Sequence, residues 1–177
     1  MRKAQIILTG FLILLAAPAM AAMDGSTGVV IGPGTALPGD TVTFMFYITN
    51  GSPDGEATSA VHFRFPETFQ ITDAWFDDEG AGWDFAWSSY GDFDEYVVFY
   101  DNDNDPDQGE ILPGQGGTFY VQLTISPNTN CGVYDLVWKQ YGDGTGAHHH
   151  WTHGEVPYDI CGIATEEATW SSVKSLY

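Results

Sequence analysis

The run Asp101-Asn102-Asp103-Asn104-Asp105-Pro106-Asp107-Gln108-Gly109-Glu110 places an oxygen-bearing side chain at nearly every position. Hard cations such as calcium require that donor type, and Asp101, Asp103, Asp105 and Glu110 are the candidate ligands. The EF-hand template fails, because Pro106 stands where the turn glycine belongs and Leu112 where the bidentate glutamate would fall. Two readings stay open: a loop site for calcium, or a solvated acidic turn that lessens its own repulsion by exposure. A second cluster, His148-His149-His150-Trp151 with His153, offers imidazoles to zinc, nickel or copper. Consecutive histidines cannot all aim at one centre, so the alternative is a surface loop that charges below neutral pH. Aromatic side chains are a third resource, since sugars stack on exposed rings. At period two Trp83, Phe85 and Trp87 share one face and are expected in the core, which leaves Tyr90 and Trp151, expected in glycine-rich loops, as the ligand-binding candidates. No nucleophile elbow, phosphate loop or Ser/His/Asp signature occurs, and in so acidic a chain no pair of carboxylates stands out for glycoside hydrolysis. The expectation is therefore a chain that is not an enzyme, needs no cofactor, and has calcium as its leading candidate ion.

The flanking composition bounds the partners. Arg2 and Lys3, the apolar run Ile6 to Ala17 and the small-residue site Ala19-Met20-Ala21 read as a secretory signal peptide over residues 1–22. The apolar run is short for a membrane span, so no transmembrane anchor is expected after cleavage. Beyond residue 22 the chain keeps Arg64, Lys139 and Lys174 against 24 acidic residues, a net charge of −21. That balance repels phosphate backbones and anionic lipid, which excludes nucleic acid as an expected partner. With 15% aromatic residues the same chain has the apolar surface that a disordered polyanion lacks. Cys131 and Cys161 both fall in the exported part, where pairing as a disulfide is the default.

These groups need elements to position them, and the hydrophobic period is two throughout. The stretch Thr41 to Pro66 reads as a hairpin or as a strand pair bridging two sheets. Val42, Phe44, Phe46 and Ile48 fall on one face, and Val61, Phe63 and Phe65 repeat the pattern. Further strands are expected over Thr27–Gly32, Phe69–Phe76, Gly82–Ser88, Glu95–Tyr100, Thr118–Ser126, Gly132–Gln140 and Glu155–Ile160. In the best of them Phe119, Val121, Leu123 and Ile125 point inward. Eight or nine short strands punctuated by Gly, Pro, Asn and Asp imply an all-β antiparallel sandwich over residues 23–163. Residues 164–177 form a separate tail with Trp170, Val173 and Leu176 or Tyr177 at helical spacing, expected as a short helix or a flexible end.

Pro38-Gly39-Asp40, the strand TVTFMFYITN, the loop Gly51 to Glu56 and the segment GEILPGQGGTFYVQLTI together resemble immunoglobulin-like sandwich modules of exported bacterial surface and extracellular proteins. The resemblance implies a scaffold or binding role and carries over no catalytic residue. The ending TWSSVKSLY is similar to short C-terminal segments of other exported bacterial proteins, with Trp170, Val173, Lys174, Leu176 and Tyr177 as the matching positions; a sorting or anchoring role is what that similarity implies. The sequence thus points to a secreted or cell-surface interaction, adhesion or structural module whose partner is a protein or a glycan, with a carbohydrate-binding module as the alternative. A small secreted hydrolase or metalloprotein is the third reading.

Overall fold

The computed structural model describes residues 23–33, 35–91, 95–102, 110–144 and 150–162. The expected signal peptide, the C-terminal tail, and Asp103, Asp105, His148 and His149 lie outside them.

Nine strands account for the described chain: β1 (Thr27–Ile31), β2 (Thr41–Thr49), β3 (Thr58–Phe65), β4 (Phe69–Asp77), β5 (Phe85–Gly91), β6 (Glu95–Asp101), β7 (Gly116–Ile125), β8 (Gly132–Gly142) and β9 (Trp151–Ile160). They form a four-stranded sheet in the order β1-β2-β7-β4 and a five-stranded sheet in the order β5-β6-β3-β8-β9. Every strand pair within the sheets is antiparallel. The expected antiparallel β-sandwich is the fold observed. β2 and β3 belong to different sheets, so Thr41 to Pro66 bridges the sandwich and is not a hairpin.

The alternation explains the core. Phe44, Phe46 and Ile48 of β2 face Val61, Phe63 and Phe65 of β3 across the sandwich, all buried, and Phe119, Val121, Leu123 and Ile125 fill the inner side of β7. Phe46 and Phe63 approach with ring centroids 4.1 Å apart, which clamps the two sheets at mid-height. Trp138 of β8 fills the corner between the sheets, lying against the bare backbone of Gly28 in β1 and Gly154 in β9. A Cβ at either glycine would meet its indole at 2.5 or 2.6 Å. Glycine is needed there for close approach rather than for a turn.

Three sequence expectations shift. β5 begins at Phe85, so Trp83 sits in the connection ahead of it. Trp83 and Phe85 are buried, but Trp87 is 39% exposed, because β5 is an edge strand whose inward side overhangs the core. The last strand begins four residues earlier than expected, because β9 pairs with β8 over its whole length, from Gly132↔Ile160 to Tyr141↔Trp151. Tyr90 and Trp151 are consequently strand residues of β5 and β9, not loop residues. The acidic break Asp77 to Gly80, at the end of β4, is a turn. The Asp78 carboxylate accepts the backbone N–H groups of Gly80, Gly82 and Trp83 at 2.9, 2.5 and 3.1 Å. Those bonds, with Gly80 and Gly82 foremost, hold its pKa below the ordinary carboxylate range.

Candidate functional site

Alternation sends every second residue of the five-stranded sheet away from the core, and the register fixes which of them become neighbours. One row across the sheet reads Tyr90, Tyr96, Arg64, Val137, Glu155; the next Ser88, Val98, His62, Lys139, His153; the third Ala86, Tyr100, Ala60, Tyr141, Trp151. The outer face of this sheet therefore gathers four tyrosines, one tryptophan and two histidines. It also carries Arg64 and Lys139, the only lysine and arginine among the described residues.

The middle of the face is an open hollow of about 320 Å³. It is lined by His62, Arg64, Tyr96, Val137, Lys139, Tyr141, His153 and Glu155. Val137 is the shortest of these side chains, and its longer neighbours rise around it. Lys139 leans along the sheet, its Nζ 4.6 Å from the Tyr141 ring centroid and 4.3 Å from that of Trp151, so two ring faces hold the ammonium. The His62 ring lies 4.5 Å from that of Tyr141. Burial, aided by the charge of Lys139, pushes the His62 pKa down to about 4 from the usual 6.5. His62 is thus neutral near pH 7, and Arg64 and Lys139 supply the face's positive charge.

A depressed histidine has a defined consequence for stability. Between pH 6.5 and about 4 the unfolded chain takes up a proton at His62 that the folded chain refuses. The contribution is complete above pH 6.5 and is lost as the pH falls through that window. Side-chain NMR titration is expected to give a His62 midpoint near 4, and Lys139→Gln to move it upward part of the way toward 6.5. A midpoint near 6.5 in the native protein would contradict this packing.

The residues singled out from the sequence fall in three places. Tyr90 and Trp151 are exposed (59% and 43%) and do share the outer face. They stand on its opposite edge strands, four strand spacings or roughly 19 Å apart, so no single sugar ring touches both. Asp101 ends β6 and Glu110 donates its backbone N–H to the Thr58 carbonyl at 2.8 Å, so both lie at the end of the sandwich where β3 begins. His150 is at the same end. Its Nδ1 is 2.7 Å from Oε1 of Glu56, a fully buried carboxylate that also accepts the Gly144 N–H at 2.8 Å. His153 points instead to the outer face, so the two described histidines of the cluster serve different neighbourhoods. Among the described residues no three His, Cys, Asp or Glu side chains converge to hold a metal ion. Cys131 and Cys161 form a disulfide that ties the start of β8 to the end of β9. Sequence reasoning did not find the hollow. Its signal was present, however: outward positions of β3 and β8 carry the only two cationic side chains of the central chain.

No family model matches the sequence, and no curated protein sequence matches it. Solved structures do. The N-terminal domain of the Streptococcus gordonii adhesin Sgo0707 aligns with TM-score 0.54 and 12% identity over 79% of this chain and 33% of that one. The Clostridium thermocellum Coh-OlpA–Doc918 cohesin–dockerin complex matches at 0.50 and 16%, over 76% of this chain and 99% of that one. AvmM, which catalyses macrocyclization in alchivemycin A biosynthesis, matches at 0.50 and 15%, over 81% and 93%. At these identities the likeness shows the fold. The sandwich is thus shared by an adhesin, a cohesin and an enzyme, and what this chain does has to be argued from its own surface. Among the described residues no helix is long and apolar enough to cross a membrane.

Proposed function

We propose that this chain is a non-catalytic interaction module that docks a protein partner flat against the outer face of its five-stranded sheet. One observation carries the reading: both described cationic side chains and five tyrosine and tryptophan residues are collected on one sheet face of an otherwise acidic domain. Tyrosine, tryptophan and arginine dominate the energetics of protein interfaces, because they bury large area and keep a polar handle. The face is broad and shallow, which suits a protein surface better than a small substrate. A cohesin seen in complex with a dockerin and an adhesin among the structural neighbours support an interaction role for this sandwich. Export, through the expected signal peptide of residues 1–22, and a cell-surface setting belong to the same reading. Calcium at Asp101, Asp103, Asp105 and Glu110 would stiffen one end of the domain and is not needed for docking. A glycan partner remains the alternative occupant, and glycan-array binding that disappears in Trp151→Ala would favour it.

The test is an affinity series against the partner captured from the extracellular fraction of the producing cells. The double variant Lys139→Glu/Tyr141→Ala is expected to weaken binding tenfold or more, about 1.4 kcal/mol. Gln122→Glu on the outer face of the four-stranded sheet is expected to leave it within about twofold. Equal affinities for all three proteins, or a loss confined to Gln122→Glu, would overturn the assignment of the face.

A further inference from the structure

The docking face carries a cation that no described side chain neutralises. Lys139 rests its ammonium on the rings of Tyr141 and Trp151. Among the described residues no carboxylate pairs with it. Glu155 also lines the hollow, yet forms no ion pair with Lys139. In a chain with 24 acidic residues against five basic ones, an amine with no carboxylate partner among the described residues is contrary to composition. Ring faces orient an ammonium and remove part of its water without cancelling its charge. The group is thereby prepared for an anion from outside.

Resting on the docking reading above, we propose that the partner presents an acidic segment and seats one of its carboxylates in the hollow against Lys139. The rest of the surface argues for the same partner by exclusion. An acidic segment is repelled by the acidic remainder of the domain, and among the described residues lysine and arginine occur only on this face, so the charge distribution rejects wrong registers as well as favouring the right one. Screening makes the local sign decisive, since at about 0.15 M salt charges beyond about 8 Å contribute little. A hollow of about 320 Å³ admits a single acidic side chain with its water, while the tyrosines around it cover the flanking residues. A protein segment fits better than an acidic polysaccharide. Trp151 already offers a ring face to Lys139, and Tyr90 stands at the far edge of the sheet, so neither makes a sugar platform with the hollow.

The experiment uses the full chain, labelled with nitrogen-15, in about 0.15 M salt. Four probes are titrated: a dodecapeptide alternating glutamate and serine around one tyrosine, its glutamine and lysine counterparts, and trigalacturonate. The glutamate peptide is expected to shift the amides of Val137, Lys139 and His153. It is expected to bind about fivefold more tightly than the glutamine peptide, the worth of one exposed charge pair, and Lys139→Gln is expected to abolish that difference. Arg64→Gln provides a second charge deletion on the same face. Glutamine or lysine peptides that bind this face as tightly as the glutamate peptide would overturn the acidic partner and leave the docking face standing. Trigalacturonate binding more tightly than any peptide would overturn the protein segment in favour of an acidic glycan. Shifts confined to Trp75, Tyr120 and their neighbours on the other sheet would overturn both the inference and the docking face. Shifts with no probe at all would overturn the inference, the affinity series above then judging the face alone.

Discussion

Phe119→Ala is expected to lower the unfolding free energy by about 3–5 kcal/mol. Phe119 is fully buried on β7 of the four-stranded sheet, and its ring reaches across to Phe63, Phe85 and Phe99 of the other sheet at centroid distances of 5.8, 5.7 and 4.9 Å. Phe76 at 6.3 Å and Trp83 at 6.1 Å complete its surroundings. Truncation removes the ring's own transfer free energy and leaves a cavity walled by large aromatic groups on rigid strands, which cannot collapse to fill it. Urea unfolding followed by tryptophan fluorescence reads the loss. A decrease below about 1 kcal/mol would mean that the sheets are not clamped through this ring.

The double variant Cys131→Ser/Cys161→Ser is expected to lose about 3 to 4 kcal/mol, the chain-entropy value for a closed loop of this size. The bridge joins residues separated by 30 positions and ties together the open ends of the β8–β9 pair, at Gly132↔Ile160. β9 is an edge strand held on one side by β8 alone within its sheet, so without the bridge its end near Ile160 is where fraying begins. Thermal unfolding of the oxidised protein, the reduced protein and the double variant separates the bridge from the substitutions. A melting temperature insensitive to reduction would contradict the assigned role. The same strand carries Trp151, His153 and Glu155, so the disulfide also steadies one side of the proposed docking face.

Most strands were legible because one of their faces is buried, whereas β1 has no buried residue and β9 only Ile160. Phe119, Val121, Leu123 and Ile125 alternate with polar residues in the sequence and are all fully buried in the structure. The disulfide was legible from two cysteines in a chain whose N-terminus reads as a signal peptide. The proposed docking face was not, and the reason is topological. Arg64 and Lys139 are far apart in sequence and become neighbours only because β3 pairs with β8, while Tyr90 and Trp151 arrive through β5 and β9 at the two edges. Alternation says that a residue faces outward, but it does not say which outward residues share a sheet. For the same reason nothing in the sequence around His62 and Arg64, outward residues of β3, marks them as part of a shared surface. Trp138, one of the aromatics available to a platform, is instead consumed by the core corner that Gly28 and Gly154 leave open. The acidic run was conspicuous in sequence because its residues are contiguous, and contiguity is a property of loops more than of sites built on sheets.

Oxidative footprinting of tyrosine and tryptophan side chains, with and without the bound partner, tests the central claim most directly. Both sheet faces carry reporters: Tyr90, Tyr100 and Trp151 on the five-stranded sheet, and Trp75, stacked on Tyr120 at 5.1 Å, on the four-stranded sheet. If the partner docks as proposed, oxidation of Tyr90, Tyr100 and Trp151 falls on binding and that of Trp75 and Tyr120 is unchanged. Protection of Trp75 and Tyr120, with Trp151 and Tyr100 as reactive as in the isolated protein, would contradict it.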